Sequence, residues 1–131
     1  MPEGKIEIPA YGSKEFRAEL LKIMPGYKWT VHGSRNDAVL RATGIQSSGF
    51  NRLSTLEVKR IAVGDMKPVY EARSAGYGMR ARWLHTHSDG TLARALRGLQ
   101  DHYEWHSNNF RSHAASLKIG REAPPSSTEE R

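Results

Sequence analysis

The spacing of the apolar residues changes along the chain, and this change constrains the fold more than any other sequence feature. Near the start, Phe16 and Leu20 recur at helical spacing, and Ser13 precedes them as an expected helix cap. Pro25 ends this run, because the residue before a proline avoids the helical conformation. From Tyr27 onward apolar and polar side chains alternate, which is typical of half-buried strands. The pattern predicts a short helix followed by a sheet.

Several strand-like runs follow, separated by short turns rich in glycine, asparagine and aspartate. The expected strands cover residues 27–31, 38–43, 53–63 and 68–74, and residues 79–85 form either a short fifth strand or an ordered loop. Gly, Ser and Asn are concentrated in residues 44–51, so we expect a loop there. The apolar alternation slips after Val58, which predicts a bulge near Lys59 and Arg60. Short connections between successive strands favour an antiparallel meander.

The longest predicted element lies near the end of the chain. Eight side chains at alternating steps of four and three predict one face of a helix of roughly 25 residues: Leu92, Leu96, Leu99, Tyr103, His106, Phe110, His113 and Leu117. Ser88 and Asp89 are expected to cap this helix, and Gly120 is expected to end it. Residues 121–131 are rich in Pro, Ser and Glu and are expected to be a disordered tail after a single domain of residues 1–120.

Together these elements predict an α+β fold. We expect a curved antiparallel meander sheet of four to five strands, with the N-terminal helix and the long C-terminal helix packed on one face. The expected core contains Phe16, Leu20, Ile23, Trp29, Val31, Leu56, Val58, Tyr70, Leu96, Leu99, Tyr103 and Phe110. Because the helices cover one face of the sheet, the other face is either solvated or used for binding.

The composition excludes several classes of protein. The chain has no cysteine, which excludes disulfides, thiolate metal sites and cysteine nucleophiles. No segment approaches the roughly 18 apolar residues of a membrane span, and the start of the chain has no apolar stretch of the signal-peptide type. We therefore expect a cytoplasmic protein without a membrane partner.

The positive charge is concentrated in one part of the sequence. The chain has 20 Lys and Arg against 14 Asp and Glu, and residues 72–100 contain five of the arginines and a single acid. Cations for phosphate groups and flat side chains for bases are the groups that bind nucleic acid. The expected nucleic-acid-binding residues are Arg73, Tyr77, Arg80, Arg82, Trp83, Arg94 and Arg97, extended from the sheet by Lys59 and Arg60 and also by Arg41 and Arg52.

Other motifs in the sequence are incomplete. His102 and His106 have a spacing that could hold a metal on one helix face, but His106 lies in the predicted buried stripe, so a packed histidine is favoured. His32 and Ser34 match one of the two His-x-Ser/Thr motifs of two-histidine phosphoesterases, and the second motif is missing. The glycines within residues 76–81 fit a dinucleotide fingerprint without the required strand–helix context. We expect no catalytic residue, metal or cofactor, and keep a small histidine-dependent hydrolase in reserve.

The order of a helix, a three-stranded meander and a helix over residues 13–105 resembles the double-stranded RNA-binding domain. That family has a lysine-rich motif at the start of its last helix, where residues 91–95 of this chain have no lysine. Residues 42–44, 49–56 and 92–100 are similar to small uncharacterised proteins of proteobacterial phages and mobile elements. Such proteins include anti-CRISPRs, which bind a host complex.

The leading hypothesis is a non-enzymatic nucleic-acid-binding accessory protein whose ligand is DNA or RNA. The alternative is a protein-interaction module, such as a phage-encoded inhibitor of host defence, which would bind an acidic protein surface. The stripe of the C-terminal helix also indicates a homodimer formed through that helix.

Overall fold

The computed structural model describes residues 11–33 and 38–125. The elements in chain order are α1 (Ser13–Ile23), β1 (Lys28–Val31), β2 (Val39–Ser48), β3 (Asn51–Ile61), β4 (Val69–Ala75), β5 (Trp83–Asp89) and α2 (Leu92–Glu122). The five strands form one antiparallel sheet in the order β1-β2-β3-β4-β5. This is the predicted α+β meander between an N-terminal and a long C-terminal helix.

The chain divides into two compact units, residues 1–99 and 100–131. The first contains α1, the sheet and the first two turns of α2. The described part of the second is the rest of α2 and the few residues after it. The alternation of Ile6 and Ile8 before Pro9 predicts an edge strand or a loose arm, and this segment lies outside the described residues. Most of the expected tail lies outside them as well.

One face of the sheet carries the core of the first unit. The strand register brings Ala42, Val58 and Ala72 side by side on this face, and all three are fully buried. Both helices add buried side chains to it: Phe16 and Leu20 from α1, and Leu92, Ala95, Leu96 and Leu99 from α2. We call this the helix face, and the opposite side of the sheet the outer face.

Two glycines allow close approach on the helix face. Gly44 in β2 lies opposite Trp29 in β1, and a Cβ on Gly44 would be 2.8 Å from the Trp29 ring. The indole Nε1 of Trp29 donates to the carbonyl of Met24 at 3.0 Å, which connects the strand to the end of α1. Gly98 allows a similarly close approach between α2 and β5, because a Cβ on Gly98 would overlap the ring of His87.

The strand boundaries differ from the sequence prediction. Residues 44–48 continue β2 and are not a loop, because they pair with β3, and only a two-residue turn at Gly49 and Phe50 remains. The register shifts between Gln46 and Ser47 and between Ser74 and Ala75, and not near Lys59, where the pairing is regular. The fifth strand is present, but it begins only at Trp83.

The helix ends also differ from the prediction. Gly12 caps α1 in place of Ser13, and its N–H donates to the carboxylate of Glu15 at 2.9 Å. Asp89 belongs to β5, and the hydroxyl of Thr91 accepts the N–H of Arg94 at 3.2 Å at the start of α2. The helix continues past Gly120 to Glu122.

Most of the predicted core is buried, but its last members are not. Phe110 is 71% exposed, so its place in the predicted core is wrong. Tyr103, Ile23 and Val31 are half-buried. No described residue after Leu99 is buried.

Candidate nucleic-acid interface

The outer face of the sheet is polar and carries several charges. Since directly opposed residues point to the same side, Glu57 in β3 shares this face with Thr43 in β2 and with Arg73 in β4. The next row along the strands contains Arg41, Lys59, Glu71 and Ser88. Charges of both signs therefore lie side by side on the outer face.

A carboxylate at the centre of this face holds two arginines. Glu57 is 8% exposed, and its two oxygens accept from Arg73 at 2.7 Å and from Arg41 at 3.2 Å. Burial raises the pKa of the Glu57 carboxyl, but the hydrogen bond and charge of Arg73, the hydrogen bond of Arg41 and the charge of Lys59 outweigh burial and hold the pKa below its usual value. Glu57 is therefore ionised at neutral pH and fixes the position of both guanidinium groups.

Arg73 also stacks on an aromatic side chain. Its guanidinium carbon lies 4.1 Å from the centre of the Trp83 ring, which is a cation–π geometry. Trp83 lies opposite Ala75 across the β4–β5 pair and is 41% exposed. The indole ring is therefore held in place by Arg73 and remains accessible to solvent.

Trp83 adjoins a second group of exposed side chains at one end of the sheet. The hydroxyl of Tyr77, in the β4–β5 connection, donates to the side chain of Asn51 in the β2–β3 hairpin at 2.9 Å. The N–H of Gly78 donates to the carbonyl of Arg52 at 2.9 Å, and its φ of 106° is a conformation that favours glycine. These bonds join the connection to the hairpin. We call residues 49–53 and 76–83 together the basic–aromatic end.

The basic–aromatic end combines exposed rings with arginine side chains. Phe50 is fully exposed, Tyr77 is 68% exposed, and both lie in the same two joined segments as Arg80 and Arg82. Residues 43–56 and 74–88 contain three arginines and no Asp or Glu. Local positive charge beside accessible ring faces suits a ligand that has both phosphates and bases.

Most of the sequence-predicted site residues lie on the outer face or at the basic–aromatic end: Lys59, Arg73, Tyr77, Arg80, Arg82 and Trp83. The others do not join this surface. Arg60 follows Lys59 in the strand and therefore points to the helix face, where its guanidinium stacks on Tyr11 at 3.8 Å. Arg94 and Arg97 are exposed on the first two turns of α2, which pack on the helix face. The positive stretch that is continuous in sequence is divided between the two sides of the sheet.

Glu57 and Phe50 belong to this surface but are missing from the sequence-based set. Glu57 lies between the core residues Leu56 and Val58, so strand alternation alone places it on the outer face. Its pairing with two arginines depends on the register and carries no local signal. Phe50 is an apolar residue in a polar turn, a signal that the sequence does contain.

A wide, open concavity of about 500 Å³ lies along the middle of α2 and is lined by Gln100, Tyr103, Glu104, Ser107, Asn108 and Arg111. A concavity of about 100 Å³ on the outer face is lined by Glu57, Lys59, Glu71, Ala72, Arg73 and Thr86. It is well below the roughly 300–1,000 Å³ of a typical small-molecule pocket. No group of three or more His, Asp or Glu among residues 11–33 and 38–125 is placed to hold a metal ion. No helix in this part of the chain is long and apolar enough to cross a membrane.

The chain matches no protein-family model, and neither a curated protein nor a solved structure is significantly similar to it. The case for a function therefore depends on the geometry of the site.

Proposed function

We propose that this chain is a non-enzymatic nucleic-acid-binding protein whose ligand is a single strand. The proposal rests on one observation: the acid-free basic–aromatic end has three arginines among exposed aromatic rings. Arg52, Arg80 and Arg82 would contact phosphates, and Tyr77 and Trp83 would stack on bases.

Exposed rings favour a single strand over a duplex. Stacking on a side chain requires an accessible base face, and in a duplex those faces are already stacked on each other. The ring of Trp83 is preoriented by Arg73, which is itself held by Glu57. A ring fixed before binding loses little side-chain entropy when a base stacks on it.

The test compares two double variants that remove the same charge from different sides of the sheet. Arg80→Ala/Arg82→Ala changes the proposed site, and Arg94→Ala/Arg97→Ala is the matched control on α2. Fluorescence anisotropy with labelled single-stranded DNA, single-stranded RNA and duplex RNA, each at two salt concentrations, gives the affinities. We expect the first variant to bind single strands about tenfold more weakly. The slope of the logarithm of its binding constant against the logarithm of the salt concentration should be shallower by about 1.4.

The control variant distinguishes a site from general attraction. Equal losses in the two double variants would mean that only net charge matters, and the site assignment would be wrong. An unchanged affinity of Arg80→Ala/Arg82→Ala for single strands would also contradict the site assignment. A preference for duplex RNA would favour recognition of duplex shape over base stacking. Circular dichroism spectra of both variants check that the fold is intact.

A protein-interaction module is the second candidate. Phe50, Met79 and Leu84 are exposed apolar side chains close to the three arginines, a combination also enriched at protein interfaces. An acidic protein surface with apolar contacts, such as that of a host complex bound by a phage-encoded inhibitor, would fit them. Absence of nucleic-acid binding at low salt, together with an intact fold, would favour this second candidate.

A further inference from the structure

We propose that two copies of this chain associate through the second half of α2, with the two helices antiparallel. The surface concerned is a stripe at alternating steps of three and four residues: Tyr103, His106, Phe110, His113 and Leu117. Phe110 is 71% exposed and Leu117 is 63% exposed. We call these five residues the seam. This inference does not depend on the proposed nucleic-acid function.

The residues beside the seam allow another helix to approach. Ser107, Asn109, Ala114 and Ser116 flank it at the positions that face a partner helix in a coiled coil, and all four are small or of moderate size and uncharged. Two identical helices can therefore meet along the seam without any of these four positions placing a charged side chain between them.

The charge along the helix selects a second copy in the antiparallel orientation. Residues 100–110 contain Asp101 and Glu104 and no Lys or Arg, a net charge of −2. Residues 111–122 contain three Lys or Arg and one Glu, a net charge of +2. Antiparallel pairing places the acidic half of each copy beside the basic half of the other, whereas parallel pairing places like charges together. The opposed helix dipoles favour the same orientation.

In this orientation the aromatic ring at the centre of the seam faces a histidine of the other copy. Phe110 lies opposite His113 of the second copy, and His106 lies opposite Leu117 of the second copy. Burying roughly 100 Å² from each of the ten seam side chains gives about 1,000 Å², near the lower limit for a specific interface. The association should therefore be weak and should depend on protein concentration.

Sedimentation equilibrium of the full chain tests the association. We expect the weight-average mass to rise with concentration from 14.7 kDa toward twice that value. Phe110→Glu should remain monomeric, because it places a charge in the seam. Asn108→Glu adds the same charge on the opposite side of the helix and should associate like the wild type. A wild-type chain that is monomeric at every concentration, or a Phe110→Glu variant that still dimerises, would overturn the proposal.

Charge reversal tests the orientation. Asp101→Lys/Glu104→Lys should raise the dissociation constant about tenfold, since it makes both halves of the helix basic. Adding Arg111→Glu and Lys118→Glu should restore association, because the two halves are then again of opposite sign. Persistent weak association in the fourfold variant, with wild-type helix content by circular dichroism, would contradict the antiparallel arrangement.

Discussion

Replacing Glu57 by glutamine removes the negative charge at the centre of the outer face while keeping the size of the side chain. Glu57 accepts hydrogen bonds from Arg41 at 3.2 Å and Arg73 at 2.7 Å. A hydrogen bond between charged groups contributes about 1.5–3 kcal/mol when it is well buried. Both arginine side chains are more than a third exposed, so solvent reduces each contribution to roughly 0.5–1 kcal/mol. We therefore expect Glu57→Gln to lower the free energy of unfolding by about 1–2 kcal/mol at neutral pH.

The pH dependence of this loss identifies its cause. The pKa of Glu57 in the folded chain is below its usual value, because the two arginines and the charge of Lys59 outweigh the effect of burial. The folded state then binds fewer protons than the unfolded state as the carboxyl titrates. The stabilisation by Glu57 is complete above the usual carboxyl pKa and is lost as the pH falls through the lowered pKa. Wild type and Glu57→Gln should therefore converge in stability in acid.

Urea denaturation at a series of pH values from neutral to acidic measures both effects. Glu71→Gln is the matched control, since Glu71 is a half-buried carboxylate on the same face, opposite Lys59. We expect the control to change the unfolding free energy by less than about 0.5 kcal/mol. If Glu57→Gln is equally destabilising at neutral and acidic pH, the loss comes from packing, and the reasoning from ion pairs is refuted.

Two further predictions concern the glycines on the helix face, and denaturant unfolding measures both. Gly44→Ala places a Cβ 2.8 Å from the buried ring of Trp29 and should cost about 1–3 kcal/mol, whereas Gly33→Ala has open space and should cost less than about 0.5 kcal/mol. Similar costs at the two positions would show that Trp29 repacks. Gly98→Ala adds about 1 kcal/mol of helix propensity but overlaps the ring of His87, and we expect a net loss of about 1 kcal/mol. The same substitution should stabilise the chain when His87 is alanine, and a stabilised Gly98→Ala in the wild-type background would contradict the proposed packing.

Local periodicity was sufficient to predict the helices and the order of the strands, because each alternation depends on neighbouring residues only. Local periodicity failed where pairing between residues that are far apart in the sequence decides the structure. Residues 44–48 have a loop-like composition, yet they extend β2 because β3 supplies their hydrogen bonds. Gly44 resembles a strand breaker in the sequence, and only the position of Trp29 across the pair explains why a glycine is required there.

The site was predictable only in part, for a related reason. A count of charges along the sequence assigns Arg73 and Arg97 to one surface. In the fold, β4 presents Arg73 on the outer face, whereas the first two turns of α2, which contain Arg97, pack on the helix face. The prediction that Phe110 lies in the core was wrong for a different physical reason. Helical periodicity shows that a helix has an apolar face and does not show what covers it, so a core stripe and a seam between copies have the same pattern.

The most direct test of the proposed site uses the three tryptophans of the chain as separate reporters. Their indole N–H groups should give three resolved peaks in a two-dimensional ¹H–¹⁵N NMR spectrum during titration with a single-stranded oligonucleotide. Trp83 lies in the proposed site, Trp29 is buried on the helix face, and Trp105 lies on α2. We expect the peaks of the Trp83 indole and of the backbone amides of residues 49–53 and 76–83 to shift, while the indole peaks of Trp29 and Trp105 do not shift. Shifts at Trp105 or along α2 without a change at Trp83, or no shift at low salt, would contradict the proposed site.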